Sequence, residues 1–545
     1  MNTPISAPSG MVASSQRLAS RVGAELLEQG GTAVDAAIAV NAMLSLIEPH
    51  MCGPGGDLFA LVWDPVDKRL HGLNASGRAA GNQDFAGLMA KLGTATAISP
   101  YSPSSVTTAG AVAGWSALHQ RFGKLSLKEI FAPVIAHATQ GVTIGPVTAN
   151  WWQHSAIEVA AAPQLSRKTR GFDAIFLPRQ RAPLAGETFN NPALAQTYRS
   201  LAANGFDDFY RGRLAASSLA FFDTAGVPIE SDDLASCVAQ WVEPLTTNYR
   251  GYDVVELPPN GQGLSVLQIL NMLETFPLDD VEAGGADYWH WFLEAKKLAF
   301  EDRAKYFADP DFSDVPVAGL ALKAYAHQRA DTITAQANQR PTPGEPGLSQ
   351  GDTTYLTVAD SSGMMVSLIQ SIFTGFGSGL VAPELGFAWQ SRGAGFSLDQ
   401  SHANVYAAGK RPFHTIIPAF VMRDDEPLMS FGVMGADMQP QGQVQVLANL
   451  FDFGMNVQAA GDAPRLRHDS PTSPVLGGHS GAGIVWYEDG IPAAVVAELS
   501  ARGHDMRPAS HPIQHFMGGY QAVARADDGW AGASESRFDG CARGY

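Results

Sequence analysis

The chain has 545 residues, of which 45% are hydrophobic and 16% charged, a composition typical of a folded protein with a large core or several domains. Its 36 basic and 53 acidic residues give a formal net charge of −17. This charge argues against a nucleic-acid partner, because binding to a phosphate backbone relies on basic side chains.

The cysteines and the apolar segments exclude further classes. Cys52, Cys237 and Cys541 lie far apart and are odd in number, so we expect neither a disulfide framework nor a thiolate metal site. The first residues lack the basic start and apolar core of a secretory signal, and no stretch reaches the roughly 18 apolar residues of a membrane span. We therefore expect a cytoplasmic protein with no membrane partner, no metal and no cofactor.

The first predicted elements are two helices and a strand. Apolar side chains between residues 18 and 27 recur on one helical face, and Gly30 can end that helix. Residues 32–49 are apolar almost all round, which predicts a helix buried on every side within a layered core. "CGPGGDLFALVWD" then indicates a tight turn that leads into a strand beginning near Leu58.

Further along the chain the pattern changes from helices to strands. Residues 110–335 are mostly helical, with a strand at "GYDVVELP" and a helix from about Ser265 to Leu273. Residues 336–352 have almost no large apolar side chain and are expected to form an exposed, mobile linker. "TTYLTVAD" and "MMVSLIQSIF", separated by "SSG", then predict a β-hairpin, and a helix is expected near residues 440–453.

The stretch "GDTTYLTVAD" places two threonines at the junction of the linker and the hairpin. A threonine hydroxyl is a poor nucleophile unless a base adjoins it, and a free α-amino group, with a pKa of roughly 7.7 to 8.0, is such a base. Cutting the chain just before Thr353 would create that amine, and a flexible linker would let the cut ends separate. The alternative interpretation is an ordinary strand start after a loop.

Longer segments carry a family resemblance. They are "SSQRLASRVGAELLEQGGTAVDAAIAVNAMLSLIEPHMCGPGGDLFAL", "YRGYDVVELPPNGQGLSVLQILNMLE", "KLAFEDRAKYFADPDF", "GDTTYLTVAD", "FTGFGSGLVAPELG", "KRPFHTIIPAFV" and "GASESRFDGCARGY". In order and spacing these segments resemble the γ-glutamyltransferase family of N-terminal nucleophile hydrolases. The resemblance covers nearly the whole chain, and the joint occurrence of the segments is far more specific than any one of them.

The resemblance implies an α+β protein folded as a four-layer αββα sandwich and made as a proenzyme that cleaves itself between Asp352 and Thr353. Residues 1–352 would form the large subunit and residues 353–545 the small subunit of one shared sandwich; association of two such heterodimers is left open. Thr353 would be the nucleophile and, through its new amine, the base. It would pass the acyl group of a small-molecule amide to water or to an amine. Ser371 matches the family position whose hydroxyl supports the nucleophile.

Two further positions are carried over from the family. The paired glycines of its oxyanion site correspond to Gly435 and Ala436 in "MGADMQP". Backbone N–H groups form such a site, so an alanine can serve if its dihedral angles suit; the alternative is a turn that opens the following helix. Arg78 in "NASGRAAG" matches the family arginine that binds the substrate carboxylate, a role that suits a planar two-pronged donor.

The chain departs from the glutathione-cleaving members where they bind the amino and carboxylate groups of glutamate. At those positions it has Phe373, Arg392, Gly395, His414 and Thr415. A cation and an aromatic ring replace the anion that would bind a substrate ammonium, and an unpaired buried ammonium is costly. The pattern resembles the branch that includes oxamate amidohydrolase, and Arg78 with Arg392 would complement a short acidic amide.

Three alternatives from other classes remain. "GHSGA", around Ser480, is a near-miss to the nucleophile elbow of esterases but lacks the ordered acid and histidine that should follow. "GFGSGL" has the glycine spacing of a dinucleotide loop but no clear helix after it. The third alternative is a ligand-binding module that keeps the sandwich and never matures; the presence of both Thr353 and Ser371 argues against it.

Overall fold

The computed structural model describes residues 3–166, 170–344, 354–475, 481–510 and 516–545. Asp352 and Thr353, the predicted cleavage pair, lie outside the described residues, as does Ser480 of the alternative esterase motif.

The described residues form helices, strands and short 3-10 turns. The helices are α1 Arg17–Glu28, α2 Ala33–Ile47, α3 Phe85–Leu92, α4 Ala111–Phe122, α5 Leu127–Gln140, α6 Pro146–Ala161, α7 Phe172–Phe176, α8 Pro192–Asn204, α9 Asp208–Arg211, α10 Arg213–Ala225, α11 Ser231–Ala235, α12 Gly263–Leu273, α13 Ala286–Tyr306, α14 Val317–Ala321, α15 Lys323–Ala330, α16 Met438–Phe451, α17 Val457–Asp462 and α18 Ala493–Ala501. The 3-10 turns are Pro103–Ser105, Leu278–Asp280 and Arg392–Gly395.

The strands are β1 Ile5–Ala7, β2 Met11–Ser14, β3 Asp57–Asp64, β4 Arg69–Ala75, β5 Val142–Thr143, β6 Thr188–Phe189, β7 Gln240–Val242, β8 Leu245–Tyr249, β9 Tyr252–Glu256, β10 Thr354–Ala359, β11 Met365–Ser371, β12 Ala419–Arg423, β13 Glu426–Met434, β14 Leu466–Asp469, β15 Ile484–Tyr487, β16 Met506–Pro508, β17 Gly519–Ala526, β18 Gly529–Ser534 and β19 Cys541–Gly544. Most of them belong to two seven-stranded sheets. The first sheet has the order β19-β2-β10-β11-β3-β4-β7, and the second sheet has the order β1-β18-β17-β13-β12-β9-β8.

The two sheets face each other across an apolar core. Phe59, Tyr355 and Ile369 of the first sheet meet Phe420 and Val523 of the second sheet there. Helices α1, α2, α4 and α5 cover the outer face of the first sheet, and α12, α13 and α16 cover that of the second. This arrangement confirms the predicted αββα sandwich, in which each sheet buries both faces.

The first two predicted helices are confirmed and differ in burial as their sequences indicate. Helix α1 buries the face that carries Val22, Leu26 and Leu27, whereas every residue of α2 is buried. The start of α2 is fixed by a capping box, in which the Thr32 hydroxyl accepts from the Asp35 N–H and the Asp35 carboxylate accepts from the Thr32 N–H. The predicted hairpin and the helix near residues 440–453 are also present, as β10 with β11 and as α16.

Strands from before and after the predicted cleavage site pair with one another in both sheets. In the first sheet β2 lies between β19 and β10, and β11 lies between β10 and β3. In the second sheet β1 pairs with β18, and β9 pairs with β12. The two halves of the chain therefore build one fold together.

The described part of the predicted linker, residues 336–344, is attached to helix α13. The Asn338 N–H donates to Glu294 over 3.0 Å, and the Gly344 N–H donates to Asp302 over 2.6 Å. Both carboxylates are buried, so the two backbone N–H groups hold this segment against the protein interior. Residues 345–352 lie outside the described residues, and the division of the chain at residue 352 stays a prediction.

None of the described helices combines the length and the apolar character that crossing a bilayer requires. The cytoplasmic location stays a prediction.

Candidate active site

The β10–β11 hairpin brings the predicted site to one end of the core between the sheets. Thr354, the first described residue of β10, pairs with Gln370, and Ser371 at the end of β11 pairs with Asp57 at the start of β3. Because side chains alternate along a strand, Ser371 and Asp57 lie on the same face as the core residues two positions away. Both side chains therefore lie at the end of the core nearest to the predicted nucleophile.

The Ser371 hydroxyl has two donors around it. Its Oγ accepts the Phe373 N–H over 2.9 Å and a guanidinium N–H of Arg392 over 3.0 Å. A serine oxygen has two lone pairs and one proton, so these two bonds occupy its acceptor capacity. The Ser371 O–H group then acts only as a hydrogen-bond donor. A donor is what is needed to stabilise an oxyanion or a deprotonated hydroxyl.

Arg392 connects the predicted residues of this region. Its side chain is fully buried, and the residue is the first of the 3-10 turn Arg392–Gly395. The guanidinium donates to Thr415 Oγ1 over 3.0 Å, and its central carbon lies 4.4 Å from the centre of the Phe373 ring. Phe373 has a φ of +80°, a conformation rare for a bulky residue, so the surrounding bonds hold it in place. Ser371, Phe373, Arg392 and Thr415 form what we call the Arg392 cluster.

His414 belongs to a different arrangement, centred on Asp57. The His414 Nε2 lies 3.0 Å from Asp57 Oδ2, and both side chains are fully buried. The other carboxylate oxygen of Asp57 accepts the N–H groups of Gly77 and Gly110 and the side-chain amide of Gln390. Asp57 thus joins four segments that are remote in sequence. Sequence reasoning missed it, although its place between a glycine turn and a strand was visible.

Arg78 lies next to a segment that Asp57 anchors, in a cluster of charges. Its guanidinium binds Asp309 over 3.3 Å and Asp311 over 2.7 Å, and it also donates to the Gly409 carbonyl. Its side chain is 31% exposed, unlike that of Arg392. The hydrogen bonds described for Arg78 do not include the Arg392 cluster, and its role as a ligand for a substrate carboxylate stays a prediction.

Gly435 and Ala436 lie in the turn between β13 and α16 and both have positive φ angles, +127° and +53°. A side chain on Gly435 would come within 2.6 Å of the Phe516 ring, so this position requires glycine. Ala436 adopts the left-handed conformation, which costs an alanine about 1 kcal/mol, so contacts around it must impose this geometry.

The contacts that impose it come from an ion pair that sequence reasoning also missed. Gln262 donates from its amide to the Ala436 carbonyl over 3.3 Å and accepts from Arg303 over 2.8 Å. Arg303 is fully buried and binds both oxygens of Asp437, at 2.5 and 2.9 Å. Burial raises the pKa of Asp437, but the charge and hydrogen bonds of Arg303 outweigh it and leave that pKa below its usual value. The ion pair between Arg303 and Asp437, together with Gln262, therefore holds the turn.

Among the described residues, His290, Glu294 and His504 are buried side chains that could together hold a metal ion, and none of them belongs to the Arg392 cluster. The His290 Nε2–H can donate to the Thr334 carbonyl, which leaves its Nδ1 to accept from His504 over 2.9 Å. Glu294 is already bound to the Lys297 ammonium over 2.7 Å. A metal would have to compete with this ion pair.

A solved structure closely matches the whole fold. The crystal structure of the cephalosporin acylase from Bacillus halodurans superposes with a TM-score of 0.92 at 39% identity, covering 100% of this chain and 97% of that chain. Two facing antiparallel sheets between helix layers are the architecture of the N-terminal nucleophile hydrolases.

Sequence comparisons define the family. The model described as Gamma-glutamyltranspeptidase matches residues 19–545. The chain is 36% identical over 465 residues to the glutathione hydrolase-like YwrD proenzyme of Bacillus subtilis, covering 85% of this chain and 86% of that protein. It is 35% identical over 545 residues to the oxamate amidohydrolase proenzyme of Klebsiella pneumoniae, covering 98% of each. The chain belongs to the gamma-glutamyltranspeptidase family and is an amide-cleaving enzyme of the N-terminal nucleophile type.

Proposed function

We propose that this protein is a self-cleaving amide hydrolase and acyltransferase that acts on small carboxylate-bearing amides through Thr353. The observation that carries the proposal is the Arg392 cluster, in which a buried cation binds the Ser371 hydroxyl at the end of the strand that pairs with β10. Thr353 directly precedes the first residue of β10 in the sequence. The relatives named above are proenzymes, which supports cleavage of the Asp352–Thr353 bond into a large and a small subunit.

The proposed chemistry follows from the groups at this end of the sheets. Cleavage gives Thr353 an α-amino group, which accepts the proton of the threonine hydroxyl as its oxygen attacks the amide carbon. The negative charge on the carbonyl oxygen meets the N–H groups of Gly435 and Ala436. The C–N bond then breaks, the amine leaves with the transferred proton, and water or a second amine attacks the acyl-enzyme ester to release the acyl group.

The proposed substrate class rests on the charge of the Arg392 cluster. Arg392 is fully buried, and it donates to the hydroxyls of Ser371 and Thr415. A planar guanidinium presents several N–H donors to a carboxylate, and low solvent access strengthens the attraction. Arg78 is bound to Asp309 and Asp311, so its part in binding the substrate carboxylate rests on the family resemblance alone.

A narrower second candidate is hydrolysis of oxamate without transfer to an amine. The cation of the Arg392 cluster favours it, because oxamate has a carboxylate next to its amide and no ammonium group. The relation to the Klebsiella protein named as an oxamate amidohydrolase supports it.

The first test is the mass of the denatured chain in the wild type and in the variants Thr353→Ala and Thr354→Ala. The proposal expects two fragments from the wild type and from Thr354→Ala, with the break before Thr353, and an intact 57.7 kDa chain from Thr353→Ala. The neighbouring threonine is the matched control, because it differs only in position. A wild type that stays intact on prolonged incubation would favour the non-maturing binding module.

The second test measures turnover of the mature enzyme. Ammonia release from oxamate is compared with amine release from γ-glutamyl anilides, each with and without an added amine acceptor. Oxamate turnover that no acceptor accelerates would favour the second candidate. Faster turnover of γ-glutamyl anilides would contradict the substrate class inferred from Arg392.

A further inference from the structure

A cavity of about 570 Å³ lies beside the Gly435 turn, on the flank away from the Arg392 cluster. Trp151, Phe516 and Phe538 line it, together with Pro146, Val147 and Met517. The Phe516 ring lies edge-on to Trp151 at 5.2 Å and to Phe538 at 5.6 Å between ring centres. Three aromatic rings packed on one another therefore form part of the described wall.

Two contacts connect the cavity to the candidate active site. The Phe516 ring packs directly on Gly435, where a Cβ atom would lie only 2.6 Å from the ring. Trp151 stacks on His50 at 6.4 Å, and the carbonyls of His50 and Met51 accept the N–H groups of Phe376 and Ile372. The cavity thus adjoins both the turn that follows β13 and the segment that follows β11.

The sheet order places the cavity and the Arg392 cluster on opposite sides of β10 and β13. In the first sheet, Phe538 precedes β19, on the β2 side of β10, whereas Ser371 ends β11 on the other side. In the second sheet, Phe516 precedes β17, on one side of β13, whereas Thr415 precedes β12 on the other. A substrate whose carbonyl lies between these strands would extend one half toward each flank.

We propose that this cavity binds the amine half of the amide, as an aromatic or other bulky apolar amine that is uncharged or cationic. The inference rests on the proposed function, in which the acyl half carries the carboxylate to the Arg392 cluster. Breaking the C–N bond would then leave the amine, with its added proton, in the cavity as the acyl group stays on Thr353. Aromatic walls favour a ring, because stacked and edge-on contacts add to apolar burial.

The charges around the cavity set the preference for a neutral or cationic amine. The side chains of Asp462, Glu488, Asp489 and Arg537 line it, which gives a net formal charge of −2. Arg537 is itself held by Glu488 at 2.6 Å and by Glu535 at 2.8 Å. A carboxylate on the amine half would therefore meet an acidic wall whose single arginine is already bound.

Binding is tested without turnover, by saturation-transfer NMR with 4-aminobenzamide and 4-aminobenzoate as probes on the purified protein. We expect 4-aminobenzamide to bind the wild type and the carboxylate analogue to bind at least several-fold more weakly. Trp151→Ala should raise the Kd of 4-aminobenzamide about tenfold, since an aromatic pair and its buried area are removed. Trp241→Ala, at a partly exposed tryptophan that does not line the cavity, is the matched control and should keep the wild-type Kd.

A second variant guards against misfolding of Trp151→Ala. Val147→Trp fills the cavity from the first turn of α6 and should also abolish binding. Equal binding of 4-aminobenzamide to the wild type and to both cavity variants would overturn the inference, as would no binding to the wild type. The mass measurement described above decides the proposed function separately, so either can fail alone.

The assignment to the amine half is tested on pairs of substrates that share an acyl group. Oxamate and N-phenyloxamate release ammonia and aniline respectively from the same acyl carbon, and γ-glutamylamide and γ-glutamylanilide form a second pair. The preference for the anilide within a pair, measured by kcat/KM, should fall about tenfold in Trp151→Ala and stay unchanged in Trp241→Ala. A preference that Trp151→Ala leaves unchanged would overturn the assignment.

Discussion

Arg303 and Arg392 are both fully buried on the two sides of the candidate active site, and they differ in what they bind. Arg303 forms a two-pronged pair with the carboxylate of Asp437, whereas Arg392 binds the hydroxyls of Ser371 and Thr415. A carboxylate partner neutralises the charge and fixes the Gly435 turn. The hydroxyls described for Arg392 orient its guanidinium, and in the proposed function this charge binds the substrate carboxylate. Under the proposed function, the same type of side chain builds structure in one place and binds substrate in the other.

Glu48 is a third buried ionisable group whose described partners are neutral. Unlike arginine, a carboxyl group can lose its charge by taking up a proton. Its carboxyl accepts from the Ser15 hydroxyl and from the Gln16 amide. Burial raises the pKa of Glu48 to about 7, although these two hydrogen bonds lower it. An arginine with hydroxyl partners keeps its proton instead, because its intrinsic pKa is so high.

The largest effect is expected for Arg303→Met, which leaves Asp437 without its cation. The Asp437 side chain is 37% exposed, so water partly compensates for the lost cation. The loss should then be about 1.5–3 kcal/mol, the usual worth of hydrogen bonds to a charged group, and the Gly435 turn should lose its geometry at the same time. We expect this loss in the free energy of unfolding in urea, together with loss of turnover. Arg211→Met, which breaks an exposed pair with Asp207, is the control and should cost about 0–1 kcal/mol. Similar losses in the two variants would contradict the structural role of Arg303.

Arg392→Lys should act on turnover more than on stability. The lysine keeps the charge but loses the planar fork, and charge-assisted hydrogen bonds contribute about 1.5–3 kcal/mol each, so kcat/KM for carboxylate-bearing amides should fall about 10- to 100-fold. Steady-state kinetics on a carboxylate-bearing amide and on the same amide without the carboxylate measure this. An equal fall for both substrates would mean that Arg392 does not bind the carboxylate.

The titration of Glu48 should appear as a pH dependence of stability. Its folded pKa of about 7 lies above the usual value of 4.5, so its contribution is present at low pH and is lost as the pH rises toward and through 7. Relative to Glu48→Gln, the wild type should lose about 2 kcal/mol of unfolding free energy between pH 5 and pH 7.5. Urea unfolding at the two pH values measures it, and parallel curves for the two proteins would rule it out.

The smallest effect is expected for Ala436→Gly, which relaxes the left-handed residue. Glycine adopts this conformation without strain but has more freedom when unfolded, so the free energy of unfolding should change by less than about 1 kcal/mol. Gly435→Ala is the informative contrast, because its side chain would meet the Phe516 ring. A strongly destabilised Ala436→Gly would show that the methyl group, and not only the backbone, is needed at this turn.

Local patterns in the sequence predicted much of the fold. Helices α1 and α2, the β10–β11 hairpin and α16 follow from apolar periodicity and turn residues, which depend on near neighbours. The resemblance to the family supplied the residues of the Arg392 cluster, which the structure brings together.

Helix α13 shows why the rest could not be predicted. "EAKKLAFEDR" is rich in charges that are typical of a solvent-facing helix, yet Glu294, Lys296, Lys297, Asp302 and Arg303 are all buried. Their partners come from segments up to 172 residues away, as in the bond between Lys296 and His468. Asp57 escaped notice for the same reason, since it binds groups near residues 77, 110, 390 and 414. Pairings over such distances leave no local pattern.

The pairing of an early strand with two late strands in the first sheet has a consequence for how the protein is synthesised. Strand β2, at residues 11–14, pairs on one side with β10 and on the other with β19, at residues 541–544. During synthesis, β2 leaves the ribosome long before either neighbouring strand has been made. Its apolar residues therefore lack these two strand partners through most of translation. Contacts this remote along the chain also slow folding. We therefore expect the nascent chain to depend on chaperones, and truncated chains that end before β19 to aggregate.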